Sequence, residues 1–287
     1  MRFYRDVGIV LGGHKLGEAD RIVIILTRNH GLIRAVAKGI RRTKSRFGSR
    51  LEPFMFVDVQ CHIGRSLDII TQVELLEPFA RGIMSDYDTY AAATGMAETA
   101  IRLTEDEPQA RAQFLLLLAA IRSLCNGEHA PGLSRDAYLL RAMSLAGWAP
   151  SLDDCAQCGA SGPHRAFSPA LGGAVCHSCR PHGTALPSSE TMDHLTALMS
   201  RDWQRVEASS VYQQTEASRL IVTYVQWHLE RKVKSLAVLA SQPAPVQRAP
   251  VQPTSVQPAP VQSTSVQPAP VQPAPHPSAP SASVETT

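Results

Sequence analysis

Cys155-Ala-Gln-Cys158 and Cys176-His-Ser-Cys179 are the residue sets in this chain best suited to chemistry. Seventeen residues separate the two pairs. Cysteines three apart at the tip of a tight turn aim both thiolates at one ion, and two such turns complete a tetrahedral shell. A shell of four thiolates leaves no position open for water or substrate. The spacing therefore predicts one structural Zn2+ per chain, held by Cys155, Cys158, Cys176 and Cys179, rather than a catalytic metal. Gly159, Gly162, Gly172 and Gly173 supply turn freedom around the pairs. A redox dithiol needs only one pair, placed at a helix N-terminus after a strand. Disulfides conflict with a chain that shows no secretory signal. His164, His177 and His182 lie near enough in sequence to replace a thiolate, a role that four cysteines make unnecessary. Cys61 and Cys125 are expected to be bystanders.

A second set could do electrostatic work. Arg34 to Arg50, RAVAKGIRRTKSRFGSR, carries Arg34, Lys38, Arg41, Arg42, Lys44, Arg46 and Arg50 and no acid. A run of like charge repels itself and fits an external polyanion, since each neutralised phosphate releases condensed counterions. A solvated loop, or a loop that binds only an acidic protein, is the plainer alternative. Lys15 and Arg21 could extend the patch. Residues 1–78 hold 13 Lys and Arg against 8 Asp and Glu, whereas residues 79–150 hold 6 against 8 and residues 151–287 hold 9 against 9. The net charge of +3 is thus concentrated in the N-terminal piece, as in one nucleic-acid-facing module on a neutral scaffold. Phe47, Phe54 or Tyr4 could stack on a base or sit in the core, and with aromatics at 6% backbone contacts should dominate.

The elements that must position these residues fall into two kinds. Val7–Leu11, Arg21–Thr27, Leu32–Ala37, Phe54–His62 and Leu67–Leu75 read as short strands, with breaks expected at Gly12-Gly13 and at Asn29-His30-Gly31. Met55, Val57, Val59 and Cys61 alternate with Phe56, Asp58, Gln60 and His62, the period of a half-buried strand. Five short strands before Pro78 suggest a small closed barrel of the OB type, with an SH3-like barrel also compatible. Arg34 and Lys38 would then lie on a barrel strand and the other cations in the loop that follows. Helices are expected over Thr89–Thr104 and Gln109–Cys125, and from Ser134 or Asp136 to Gly147 with Ala137, Leu140, Met143 and Leu145 inward. Two more are expected over Ser189–Met199 and Gln213–Val238, the last ending in Arg231, Lys232 and Lys234.

The fold class expected is α+β and multidomain: an OB-fold barrel over 1–78 and a helical domain over 79–240 with the cysteine insert at 151–185. A disordered tail follows over 241–287. In that tail VQPTSVQPAP (251–260) returns as VQSTSVQPAP (261–270), a proline density that cannot bury enough surface to fold.

Other classes are excluded by what is missing. No G-x-x-x-x-G-K-[ST], H-E-x-x-H, G-x-S-x-G or G-x-G-x-x-G occurs. Asp86 and Asp88 precede a helix start, where acids belong without any catalytic role. No run approaches the roughly 18 apolar residues of a membrane span, and six cysteines without a leader argue for a reducing cytoplasm. An RNA-binding barrel and zinc-ribbon protein, and a hydrolase with an unrecognised site, are the rivals to a DNA-binding protein without catalysis.

Several stretches resemble the RecO family of bacterial recombination mediators, its actinobacterial members in particular. They are Gly17-Glu18-Ala19-Asp20-Arg21, Gly31 to Gly39 (GLIRAVAKG), Arg41 to Phe47 (RRTKSRF), Leu51-Glu52-Pro53-Phe54, Arg141 to Pro150 (RAMSLAGWAP) and Tyr224 to Arg231 (YVQWHLER). The resemblance runs in order over about residues 1–238, with the tail outside it. It implies an OB-fold joined to a helical domain with a zinc element, and binding of single- and double-stranded DNA with annealing of complementary strands. It further implies partnership with RecR, sometimes also RecF, in loading RecA, and contact with the acidic tail of single-stranded-DNA-binding protein.

Overall fold

The structure is a computed structural model and describes residues 2–105 and 110–229. The expected helix end beyond Leu229, with Arg231, Lys232 and Lys234, and the 241–287 repeat lie outside the described residues.

Five strands come first: β1 (Phe3–Leu16), β2 (Asp20–Thr27), β3 (Leu32–Ala37), β4 (Met55–His62) and β5 (Asp68–Pro78). They close into a barrel in the order β1-β2-β3-β5-β4, with β4 returning to β1. Every pairing is antiparallel except β3 with β5, which is parallel and short, Ala35 opposite Asp68 and Val36 opposite Ile69. This is the OB topology. Alternation places Met55, Val57, Val59 and Cys61 of β4 inside, all at most 7% exposed.

Gly12-Gly13 does not end β1. The strand continues to Leu16 through a bulge between Val10 and Gly12. A Cβ on Gly13 would stand 2.6 Å from the Ile22 carbonyl oxygen, so glycine here allows close strand approach.

After Pro78 the chain turns helical: α1 (Ala80–Ile83), α2 (Tyr87–Thr104), α3 (Arg111–Cys125) and α4 (Pro131–Leu145). Asp86 caps α2, its carboxylate accepting from the Thr89 N–H at 2.8 Å, the structural role expected of it. Asn126 closes α3, with Gly127 left-handed beyond it. The start of α4 differs from expectation. It begins with Pro131 in the first turn, where the missing N–H costs nothing, and Ser134 and Asp136 are buried inside it. Leu145, expected inward, is 51% exposed.

The cysteine segment follows, with two three-residue strands, β6 (Ala166–Ser168) and β7 (Gly173–Val175), paired antiparallel. Then come α5 (Ser189–Ser200), the short α6 (Trp203–Ala208), which sequence periodicity missed, and α7 (Val211–His228). Ser210 and Gln213 form a reciprocal capping box at the start of α7. One apolar core runs from the barrel interior into the bundle, through contacts such as Phe56 with Phe114 at 6.3 Å between ring centres.

Candidate metal centre and nucleic-acid interface

The four cysteines of the spaced pairs come together. The sulfurs of Cys155, Cys158, Cys176 and Cys179 all lie within 4.8 Å of one another, and Cys158 Sγ is 3.9 Å from Cys176 Sγ. A tetrahedral ion with sulfur at about 2.3 Å spaces its ligands by about 3.8 Å, so the set can hold a metal ion. Local main-chain bonds shape each knuckle. Gly159 N donates to Cys155 O at 2.8 Å, Cys155 N to Ala160 O at 2.8 Å, and Cys179 N to Cys176 O at 3.2 Å. The Cys176 N–H reaches Cys155 Sγ at 3.3 Å.

That N–H, joined by those of Cys158 and Gln157, pulls the Cys155 thiol down to about 6, while the adjacent thiols, Cys176 first, push Cys179 up to about 12. Four sulfurs this close cannot all ionise unless a cation lies among them. His164 is turned away, its Nε2 2.8 Å from Ala160 O, and neither His177 nor His182 joins the group. Cys61 is buried in β4 and Cys125 ends α3, both remote from it.

The basic segment leaves β3 at Ala37 and crosses one end of the barrel beside the β1–β2 turn. Gly39 N donates to Asp20 Oδ1 at 2.7 Å and Arg41 N to Ala19 O at 3.0 Å. Ile40, Phe47 and Leu51 are 8%, 2% and 1% exposed, so the apolar residues between the charges pin the loop to the core. Phe54, at 3%, is also core, and the Tyr4 hydroxyl donates to Asp68 at 2.6 Å. Phe47, Phe54 and Tyr4 are therefore all committed to packing rather than to base stacking.

The nine cations divide by what their donors hold. Arg21 pairs with Glu52 at 3.1 Å, and Arg34 with Glu105 at the end of α2 at 2.8 Å. Arg50 donates to the carbonyls of Phe47 (3.0 Å), Val73 (3.1 Å) and Arg46, and Arg41 to Gly17 O at 3.3 Å. Lys15, Lys38, Arg42, Lys44 and Arg46 are exposed and meet no acid among the described residues. The Arg46 guanidinium lies 4.8 Å from the Phe47 ring centre. Lys15 is directly across from Arg21 on β1 and β2, and Arg21 from Ala37 on β3, so the row leads to Lys38.

A third feature had no linear signal. A groove of about 760 Å³ between α3, α4 and the α5–α6 region is lined by Leu115, Leu145, Met199, Trp203, Arg141 and Arg201, among others. Burial, and then the nearby Arg201, lower the pKa of Arg141. The one acid in the lining, Glu128, accepts from Asn126 at 3.1 Å. Ser134 Oγ and Tyr138 Oη, also in the lining, are buried without a hydrogen-bond partner among the described residues. Its residues come from four helices, and only folding assembles them.

A closed five-stranded OB barrel with a cationic end, fused to a helical bundle that carries a four-cysteine element, defines the class of this protein. Residues 1–79 match the family described as "Recombination protein O N terminal", and residues 84–237 match "Recombination protein O C terminal". The chain is 54% identical over 238 residues to "DNA repair protein RecO" of Nocardioides sp., an alignment that covers 82% of this chain and 98% of that relative. The chain belongs to the RecO family of DNA repair proteins.

Proposed function

We propose that the chain is a non-catalytic recombination mediator that binds single- and double-stranded DNA through the basic end of the barrel and promotes annealing of complementary strands. With RecR, and sometimes also RecF, it would help load RecA onto DNA coated by single-stranded-DNA-binding protein. The observation that carries the reading is the set of uncommitted cations on an acid-free loop and at the adjoining end of β1. Lys15, Lys38, Arg42, Lys44 and Arg46 face phosphate, while Arg21, Arg34, Arg41 and Arg50 hold the surface in shape and add to its field. Neutralised phosphates repel each other less, which lowers the barrier to pairing and weakens the hold of a competing binder. With no stacked aromatic in this loop, binding is weakly sequence-specific and steeply salt-dependent.

The four cysteines hold one Zn2+ in a structural role, since four thiolates fill its tetrahedral shell. The groove between α3 and α4 suits the acidic tail of single-stranded-DNA-binding protein. Leu115, Leu145, Met199 and Trp203 would take apolar side chains, and Arg141 and Arg201, which have no acid partner among the described residues, would take carboxylates. The buried hydroxyls of Ser134 and Tyr138 are donors still to be used.

The test is the salt dependence of DNA affinity and the annealing of strands coated by single-stranded-DNA-binding protein. Replacing Lys38, Arg42, Lys44 and Arg46 with Ala should flatten the slope of log K against log salt by about 0.7 for each single-strand phosphate that is no longer neutralised. Coated-strand annealing should fall with it. An unchanged slope places DNA elsewhere on the molecule, and tighter binding of RNA in direct competition would favour the RNA-binding alternative.

A further inference from the structure

In OB barrels the face made by β2 and β3 is a common path for a bound strand. Here that path is closed. Val23, Ile24, Ile25 and Leu26 of β2 are at most 7% exposed, and Ala35, Val36 and Ala37 of β3 at most 8%, so both faces of these strands are covered. Helix α3 lies against β1 and β2, and the Arg34–Glu105 pair ties β3 to the end of α2. The opposite side, across β1, β4 and β5, carries Asp58 and Glu74 paired with Arg5, a surface with no free cation among the described residues to take a phosphate. What remains open is the two ends.

The end far from the basic loop has its own cationic surface. Arg2 precedes β1, Arg28 lies in the β2–β3 turn and Arg65 in the β4–β5 turn. All three are exposed and meet no acid among the described residues. The two turns meet β1 here, with Ile63 N donating to Arg2 O at 3.0 Å and Arg28 N to Val7 O at 3.0 Å. The local carboxylates face inward. Asp6 accepts from the main-chain N–H groups of Asn29 and His30 at 2.8 and 3.1 Å, and lies 2.7 Å from His30 Nδ1. Asp68 accepts from Tyr4 and from Gly64 N at 3.2 Å. Phe3, 49% exposed, stands edge-on to His62 with ring centres 5.2 Å apart, an aromatic pair at the surface that the basic loop lacks.

We propose that this far end, built from Arg2, Phe3, Arg28, His62 and Arg65, is a second binding surface for single-stranded nucleic acid, so that one chain holds two strands, one at each end of the barrel. Arginines take the phosphates and Phe3 with His62 takes an unstacked base. The inference builds on the reading of the basic loop as the first surface, but it is tested separately from it.

The full chain is titrated at low salt with a labelled oligothymidylate of about ten nucleotides, short enough for one barrel surface, and strands bound per chain are counted. The unaltered chain should bind two, and the Arg2→Ala, Arg28→Ala, Arg65→Ala variant one. The Lys38→Ala, Arg42→Ala, Lys44→Ala, Arg46→Ala variant should also bind one. A loop variant that still binds two, beside a far-end variant that binds one, removes the loop reading and keeps this one. One strand on the unaltered chain, or two on the far-end variant, overturns it. A Phe3→Trp reporter gives an independent readout: its emission should be quenched by the oligonucleotide in the loop variant too, and absence of quenching overturns the aromatic contact.

Discussion

At the scale of single residues, the thiols and the arginines do opposite things with their neighbours. Cys155, Cys158, Cys176 and Cys179 crowd into a group in which ionisation of one opposes ionisation of the next, and only a cation relieves that. Changing Cys155 or Cys179 to Ser should take bound zinc from one per chain to near zero and lower the melting temperature. The Cys61→Ser and Cys125→Ser changes should leave metal content alone. Elemental analysis of purified protein decides, and a stoichiometry near zero in the unaltered chain would sink the centre. Arg21 and Arg34, by contrast, are held by single acids distant in sequence, Glu52 and Glu105. The gathering of the four cysteines was legible because tight turns link their spacing to one shared point. The commitments of Arg21, Arg34 and Arg50 were not, because Glu52, Glu105 and the Val73 carbonyl reach them only after folding.

At the scale of elements, the cysteine segment joins the main core through Phe167 and Ala174, with the Phe167 ring centre 5.9 Å from that of Tyr224, while the end that bears the cysteines has only a small cluster of its own. Its own cluster of buried apolar residues is Cys155, Ala166 and Val175, and its strands are three residues each. It is tied back to the end of α4 through Ser151, whose main chain pairs with Gly173. Gly173 has φ 137°, and a Cβ there would lie 2.2 Å from Ser151 O. Gly173→Ala should therefore break the bridge, destabilising the protein by about 1–3 kcal/mol and speeding zinc loss to a chelator. Gly172→Ala, left-handed but with open space around it, should cost nearer 1 kcal/mol. Equal melting temperatures and equal chelation rates for the two variants would refute this account. Helices α2, α3 and α5 and the start of α7 were legible within a few residues from periodicity, whereas α1, α6 and the true start of α4 were not. Six residues carry too little period to detect, and Pro131 in a first turn reads as a breaker when its position in the helix is unknown.

At the scale of the whole molecule, the barrel, the bundle and the metal element present separate surfaces, and the partner groove can be tested apart from DNA. Arg141→Glu with Arg201→Glu should abolish binding of a peptide copy of the acidic tail, measured by fluorescence anisotropy, and slow annealing on coated strands while leaving bare-strand annealing within about twofold. Unchanged peptide binding would remove the groove from the partner reading. A small five-stranded barrel followed from five short β-rich runs before Pro78, but its strand order and the groove did not, since the order rests on pairings made only in the fold and the groove is shared by residues more than eighty positions apart. The repeats from residue 251 onward lie beyond both family matches, the second of which ends at residue 237. The run of β1 through its glycine pair also sets a length. Fourteen residues at about 3.3 Å each give a contour of roughly 45 Å before the bulge bends it. Phe3 stands at one end of that strand and Lys15 beside the other, with a contour between them longer than the ionic screening distance of about 8 Å. Strand β1 is thus a built-in spacer: at physiological ionic strength, charge at one of its ends is largely screened from charge at the other.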